Sequence, residues 1–131
     1  MAMLEVVAGI IERAGGILIC RRKAQQSHPL KWEFPGGKVE KGDTLPQALE
    51  RELREELDLH SISCEEMTRY EYTYPGKHPI RLIFFRVTEF EGEPRNLIFE
   101  EMRWEPRQSL AGFDFVEGDL QYLRGMACGL Y

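Results

Sequence analysis

Glu52, Glu55 and Glu56 fall within the run Arg51-Glu52-Leu53-Arg54-Glu55-Glu56-Leu57. On a helix, residues three and four apart are neighbours, so Glu52 lies beside both Glu55 and Glu56. Like charges at that spacing repel by roughly a few tenths of a kcal/mol, so helix stability gives no reason to place them there. Arg51, four residues before Glu55, is positioned to relieve part of the repulsion, and a divalent cation would relieve more. Hard Mg²⁺ prefers oxygen ligands, keeps several waters, and is commonly shared between one or two carboxylates and substrate phosphates. Gly36 and Gly37, a short way upstream, supply the complementary feature. Without a Cβ they let backbone groups approach a phosphate or point a carbonyl at a metal. Alone, a Glu/Arg run is most often a solvated helix face and a Gly-Gly most often a turn. Their combination at this spacing is what points to metal-assisted phosphate chemistry.

These residues need a rigid helix, and the sequence predicts one over Thr44–Leu59. Thr44 is a suitable N-cap, and Pro46 is tolerated in the first turn because its missing N–H would be unpaired there. Leu45, Ala48, Leu49, Leu53 and Leu57 recur at three- and four-residue spacing as one apolar stripe. Upstream, Leu4–Ile11 and Gly16–Cys20 read as strands of a hairpin around Ala14-Gly15, followed by a polar loop, Ala24–Lys31. Trp32–Val39 is short, apolar and glycine-rich. Downstream, Met67–Tyr74 and Pro79–Thr88 read as strands around Pro75-Gly76, Glu91–Pro94 as a turn, and Glu101–Glu105 as a short strand. Glu117–Ala127 reads as a last helix with Leu120, Leu123 and Met126 toward the core. Tyr70, Tyr72 and Tyr74 alternate as on one strand face, which suggests sheet packing first and base contact second. The expected fold class is α+β, a mixed sheet sandwiched between helices.

Composition narrows the function classes. With 131 residues, 43% apolar and 11% aromatic, the chain can bury a core, which excludes a wholly disordered polymer. No apolar run is long enough to span a bilayer, and the N-terminus lacks a secretory-signal pattern, so a cytoplasmic single domain over residues 1–131 is expected. Seventeen Lys+Arg against 22 Asp+Glu give a net charge of −5, which argues against non-specific clamping of nucleic acid. Cys20, Cys64 and Cys128 have no metal-type spacing, and Cys20, ending an apolar strand, is expected to be buried and inert.

Gly37, Arg51, Glu52, Leu53, Glu55, Glu56 and Leu59 together resemble the long sequence box of the Nudix hydrolases. That box runs Gly, five residues, Glu, seven residues, then Arg-Glu-aliphatic-any-Glu-Glu-any-Gly-aliphatic. Two positions depart: Asp43 stands where the family has Glu, and Asp58 where it has Gly at the helix end. Asp tolerates the left-handed conformation better than most residues, so the cap can survive at some cost. Outside the box, Arg21-Arg22, Trp32–Lys38 and the Glu91–Pro94 turn resemble the MutT-type branch, which includes 8-oxo-dGTP diphosphatases and (d)CTP pyrophosphohydrolases. The likeness thins after about Trp104.

The resemblance implies that Glu52, Glu55 and Glu56, with a carbonyl from Gly36 or Gly37, hold Mg²⁺ or Mn²⁺. It implies Glu52 as first choice of base and Glu55 as second, with Arg51 as an electrostatic brace. Many relatives add a glutamate six positions before a tryptophan like Trp104. Here that slot is Ile98, leaving Glu100, Glu101 or water as substitutes. Arg22, the Ser27–His28 loop, Glu33, Phe34, Pro35 and Gly36 would line the nucleotide pocket, with Asp119 reading the base edge. Asp119 reads equally well as a helix N-cap. An ionised Asp only accepts hydrogen bonds, whereas a protonated one also donates. The implied activity splits a nucleoside triphosphate into monophosphate and pyrophosphate, with 8-oxo-dGTP foremost and cytosine nucleotides as the alternative. A monomer or weak homodimer is expected, without nucleic-acid or membrane partners. A non-hydrolysing nucleotide sensor is the reading from another class, and the intact Arg51-Glu52-Glu55-Glu56 group speaks against it.

Overall fold

In the computed structural model, which describes residues 3–131, β1 (Leu4–Arg13) and β2 (Gly16–Arg21) form the expected hairpin. Ala14 and Gly15 both take positive φ, 51° and 81°, as in the mirror-image turns that match strand twist. The remaining elements are β3 (Trp32–Glu33), β4 (Gly36–Lys38), α1 (Leu45–Leu57), β5 (His60–Tyr72), β6 (Ile80–Glu91), β7 (Glu101–Glu105) and α2 (Leu120–Ala127). Single 3₁₀ segments occupy Arg107–Gly112 and Glu117–Asp119. β1 pairs parallel with β6 and antiparallel with β4, and β5 closes that side on β6. The end of β1 turns into β2, which carries β3 and β7 on its edges. The result is a mixed sheet, as the composition of elements suggests.

Both faces of the sheet are covered, which explains why its central strands are continuously apolar rather than alternating. Val7, Ile11, Leu18, Cys20, Ile83 and Phe85 face Ala48, Leu49, Leu53 and Leu57 of α1. Ala8, Ile10, Ile17, Ile19, Leu82 and Phe84 face Leu110, Phe115, Tyr122 and Met126 on the α2 side. The expected sandwich of sheet between helices is therefore what forms. The fully buried Leu49, Leu53 and Leu57 of the α1 stripe each contribute roughly 1.5–3 kcal/mol. The helix start is as expected and stronger: the Thr44 side chain accepts from Gln47 N–H while Gln47 answers Thr44 N–H.

Several boundaries differ from the pattern in the sequence. β5 begins at His60, not Met67, because its first half is an edge strand with small or charged residues and irregular register at Ser63 and Thr68. It ends at Tyr72, so Tyr74 lies beyond it. β6 runs on to Glu91. The last helix is broken: Glu117–Asp119 is a 3₁₀ turn, and α2 buries Tyr122 and Met126 while Leu120 is exposed. α1 stops at Leu57, with Asp58 in the left-handed conformation at φ 58°, its N–H donating back to Arg54 and Leu53 carbonyls.

A glycine at position 58 would adopt that conformation without the Cβ penalty. The Asp58 carboxylate meets Arg95 at 3.5 Å and His60 at 3.0 Å, both exposed pairs of small worth. Asp58→Gly is therefore expected to raise unfolding free energy by about 0.5–1 kcal/mol in urea titration. A loss of stability would mean those surface pairs outweigh the backbone strain.

Candidate active site

The chain crosses from one half of the sheet to the other between β3 and β4, and this crossing builds the site. Pro35 carbonyl accepts from Gly9 N–H at 2.8 Å, which pins the crossing to β1. Gly36 and Gly37 then run along β1 opposite Ala8 and Val7, beneath the Glu52 and Glu56 side of α1. Space there is tight. A Cβ on Gly36 would lie 1.9 Å from Val7 O, and one on Gly37 would lie 2.4 Å from the Glu52 carboxyl carbon. Glycine at 37 is thus what lets the Glu52 carboxylate lie against the backbone.

Glu56, one helical turn further along α1, is 9% exposed, and its Oε1 accepts from Gly36 N–H at 3.2 Å. Burial, then the charges of Glu33 and Glu52, push its carboxyl up to about 9. The Glu52 carboxyl is also raised, by burial and then by Glu55, against the pull of Arg51. Glu55 is exposed beside them. Among the described residues, no three His, Cys, Asp or Glu side chains converge closely enough to hold an ion by themselves. The donors are all oxygen, and two of the carboxyls are crowded toward their neutral form. That donor set fits a hard divalent cation that completes its shell with water and phosphate oxygens.

Arg51 braces the glutamates, through partners other than the expected one. Its Nη2 donates to Asp43 at 2.8 Å and to the Lys38 carbonyl at 3.2 Å, and its Nη1 lies 3.8 Å from Glu52. Glu55, four residues on, is not among its ion-pair partners. Asp43, the shorter acid at its position, reaches the guanidinium and also accepts from Glu40 N–H at 3.1 Å, so the lost methylene costs no contact.

A cleft of about 330 Å³ runs from this diglycine toward α2. Its walls include Arg22, Ser27, His28, Glu33, Phe34, Gly36, Gly37, Glu56 and Asp119, so most of the expected pocket residues share one cavity. Pro35 does not: it is buried, and its carbonyl serves β1 instead. Arg22 shapes the loop above the cleft, donating to Ser27 O at 2.7 Å, Ser27 Oγ at 3.1 Å and Glu33 at 3.1 Å. Burial raises the Glu33 carboxyl despite that guanidinium. His28 stands at the rim in a left-handed conformation, its ring 4.5 Å from that of Tyr74. Cys20 is fully buried, and burial pushes its thiol well up, so it is inert as expected.

At the far end Asp119 is 6% exposed and accepts from Phe34 N–H at 3.2 Å. It stands at the N-cap position of α2, but its side chain makes no capping hydrogen bond there and turns to Phe34 instead. Burial, then Glu33, push its carboxyl up to about 8 against the Phe34 hydrogen bond, which favours the protonated form near neutral pH, a form able to donate as well as accept. Ile98 and Phe99 also line the cleft, close to Glu56 through the Leu97 N–H to Glu56 carbonyl bond of 3.1 Å. Neither Glu100 nor Glu101 lines it. Glu101 pairs with Arg103 at 2.6 Å, on the face of β7 opposite Met102 and Trp104, which pack toward α1. Tyr74, for which sheet packing is the first reading and base contact the second, lies beyond the end of β5 and lines the cleft.

Residues 3–125 match the family model of the NUDIX domain. The chain belongs to the NUDIX family. It is 40% identical over 123 residues to the CTP pyrophosphohydrolase of Escherichia coli K12, covering 94% of this chain and 90% of that protein. It is 37% identical over 114 residues to an 8-oxo-dGTP diphosphatase of Haemophilus influenzae, covering 86% and 83%. The solution structure of the E. coli ORF135 protein superposes with a TM-score of 0.84 at 34% identity, covering 98% of this chain and 91% of that one. The fold is the α+β Nudix fold, and Nudix hydrolases generally require a divalent metal.

The buried acid of this Nudix protein gives a stability prediction. Because the folded-state value for Asp119 is raised from 3.8 to about 8, the folded chain holds a proton that the unfolded chain releases across that window. Stability therefore falls as pH rises from 4 to 8. Asp119→Asn keeps the acceptor for Phe34 and removes the titration, so its gain in Tm should be small at pH 4.5 and reach about 5 °C at pH 8.5. An equal effect at both pH values would contradict the burial of a titrating acid.

Proposed function

We propose that this Nudix protein is a MutT-type nucleoside triphosphate pyrophosphohydrolase that uses Mg²⁺ and releases a nucleoside monophosphate and pyrophosphate. One observation carries the reading. A single cleft joins a diglycine backed by Glu52 and Glu56 to a buried acid, Asp119. The first suits a polyphosphate, the second a heterocycle.

Glu52, Glu55, Glu56 and a carbonyl of Gly36 or Gly37 would hold the divalent ion, which supplies charge neutralisation on the polyphosphate and a nucleophile at neutral pH. Glu52, held against Gly37, is the first choice to take the proton of the attacking water, and Glu55 the second. Arg51 fixes Glu52 and the β4 backbone rather than touching substrate. Phe34 forms one wall, and Arg22 with Glu33 keeps the Ser27–His28 loop over the nucleotide. Asp119 in its neutral form pairs with a base edge that offers a donor beside an acceptor. N7–H and O6 of 8-oxoguanine do so, which supports 8-oxo-dGTP as substrate. N4–H and N3 of cytosine do so too, and the 40% identity with a CTP pyrophosphohydrolase favours that second reading.

Glu52→Gln should lower pyrophosphate release with Mg²⁺ by about 10² to 10⁴-fold. Gly37→Ala, whose Cβ would displace the Glu52 carboxylate, should lose activity comparably while its circular dichroism stays native. Retention of near-parental turnover by both variants would refute the site. For substrate choice, kcat/KM for 8-oxo-dGTP, dCTP and 5-methyl-dCTP decides. A tenfold or greater preference, on the order of 1.4 kcal/mol, for a cytosine nucleotide selects the second reading.

A further inference from the structure

Asp119 follows a glycine whose N–H and carbonyl, in the two peptide groups that flank its Cα, are each held by a tyrosine hydroxyl. The N–H of Gly118 donates to the Tyr74 hydroxyl at 2.9 Å, and its carbonyl accepts from the Tyr70 hydroxyl at 2.6 Å. Tyr70 oxygen in turn accepts from Tyr122 N–H at 3.2 Å, which ties the first turn of α2 to the same phenol. Gly118 is buried, and a Cβ there would lie 2.8 Å from the Tyr74 hydroxyl and 3.1 Å from Leu82. The turn carrying Asp119 spans only Glu117–Asp119, and the Asp119 side chain has the single protein partner Phe34 N–H among the described residues. The backbone of that turn is otherwise tied through Asp119 N–H to the Val116 carbonyl at 3.0 Å and Val116 N–H to the Trp32 carbonyl at 2.9 Å, and the two phenols add the side-chain hold on Gly118.

The two phenols are themselves rigid. Tyr70 stacks on Phe84 with centroids 5.4 Å apart, and Tyr74 is wedged between Tyr72 at 4.8 Å and His28 at 4.5 Å. Phenylalanine would fill the same volume at position 70 without a polar atom to satisfy. What the hydroxyl adds at position 70 is its pair of bonds to Gly118 and Tyr122.

We propose that Tyr70 and Tyr74 are positioning residues for base selection: their hydroxyls clamp the Gly118 backbone at its N–H and its carbonyl and so hold the Asp119 carboxyl at the base end of the cleft. The inference rests on Asp119 as the base-reading group. Removing a hydroxyl frees the turn to shift, so an off-target base meets a more forgiving carboxyl and the preferred one loses its fixed partner.

The test is the spread of kcat/KM across dCTP, 5-methyl-dCTP, dGTP and 8-oxo-dGTP. Tyr70→Phe should narrow that spread by about three- to tenfold, through a higher KM for the preferred nucleotide rather than a lower kcat. Tyr74→Phe and Gly118→Ala, which disturb the clamp from its other side, should narrow it in the same direction, and they carry the test if Tyr70→Phe does not fold. In an Asp119→Ala background, Tyr70→Phe should narrow it no further. A uniform drop in kcat on all four nucleotides, or an unchanged spread where Asp119→Ala alone abolishes it, overturns the clamp. An unchanged spread in Asp119→Ala itself overturns the reading of Asp119, and the clamp's role with it.

Discussion

Two carboxylates pressed against a diglycine are the constraint on which the rest of the structure depends. Glu52 can lie where it does only because Gly37 has no side chain, and Glu56 is held by the N–H of Gly36. Burial first, then neighbouring carboxylates (Glu55 for Glu52, Glu33 and Glu52 for Glu56), push both carboxyls toward the neutral form. Folding accepts that strain because Leu53 and Leu57, on the adjoining face of the same helix, are fully buried. The hydrophobic stripe of α1 therefore fixes where the acids stand, and Arg51, tied to Asp43 and the Lys38 carbonyl, locks the helix to β4. A site strained in this way gains most from a ligand of opposite charge.

The two ends of the cleft are built from opposite layers of the sandwich. Glutamates come from α1 on one face of the sheet, and Asp119 comes from the turn before α2 on the other. The short crossing through Phe34 and Pro35 joins them, since Phe34 N–H binds Asp119 two residues before Gly36 N–H binds Glu56. A displacement at that crossing would move both ends at once. This coupling gives a physical reason for the Pro35 carbonyl's bond to Gly9, which anchors the crossing to the central strand.

Residues whose role follows from local spacing were legible in the sequence. The α1 stripe, its Thr44 cap, the β1–β2 hairpin and the glutamate cluster all arise from contacts within a few residues. Roles set by distant partners were not. Arg51 reads as a partner of Glu55 by helical spacing, yet chain reversal brings Asp43 closer. Glu101 reads as a spare ligand, but the pleat of β7 turns it to the face away from α1. Asp119 looks equally like a cap, and only the packing of α2 against Phe84 and Phe34 makes it a buried acid. The first half of β5 escaped notice because an edge strand with half its residues in water needs little apolar alternation.

The most direct test of the central claim is Mn²⁺ binding followed by water-proton relaxation on the parent protein, Glu52→Gln and Glu56→Gln. Each substitution should weaken Mn²⁺ at least about tenfold, roughly 1.4 kcal/mol, with the folded state intact. Unchanged affinity in both would contradict the assignment of these two carboxylates to the cation.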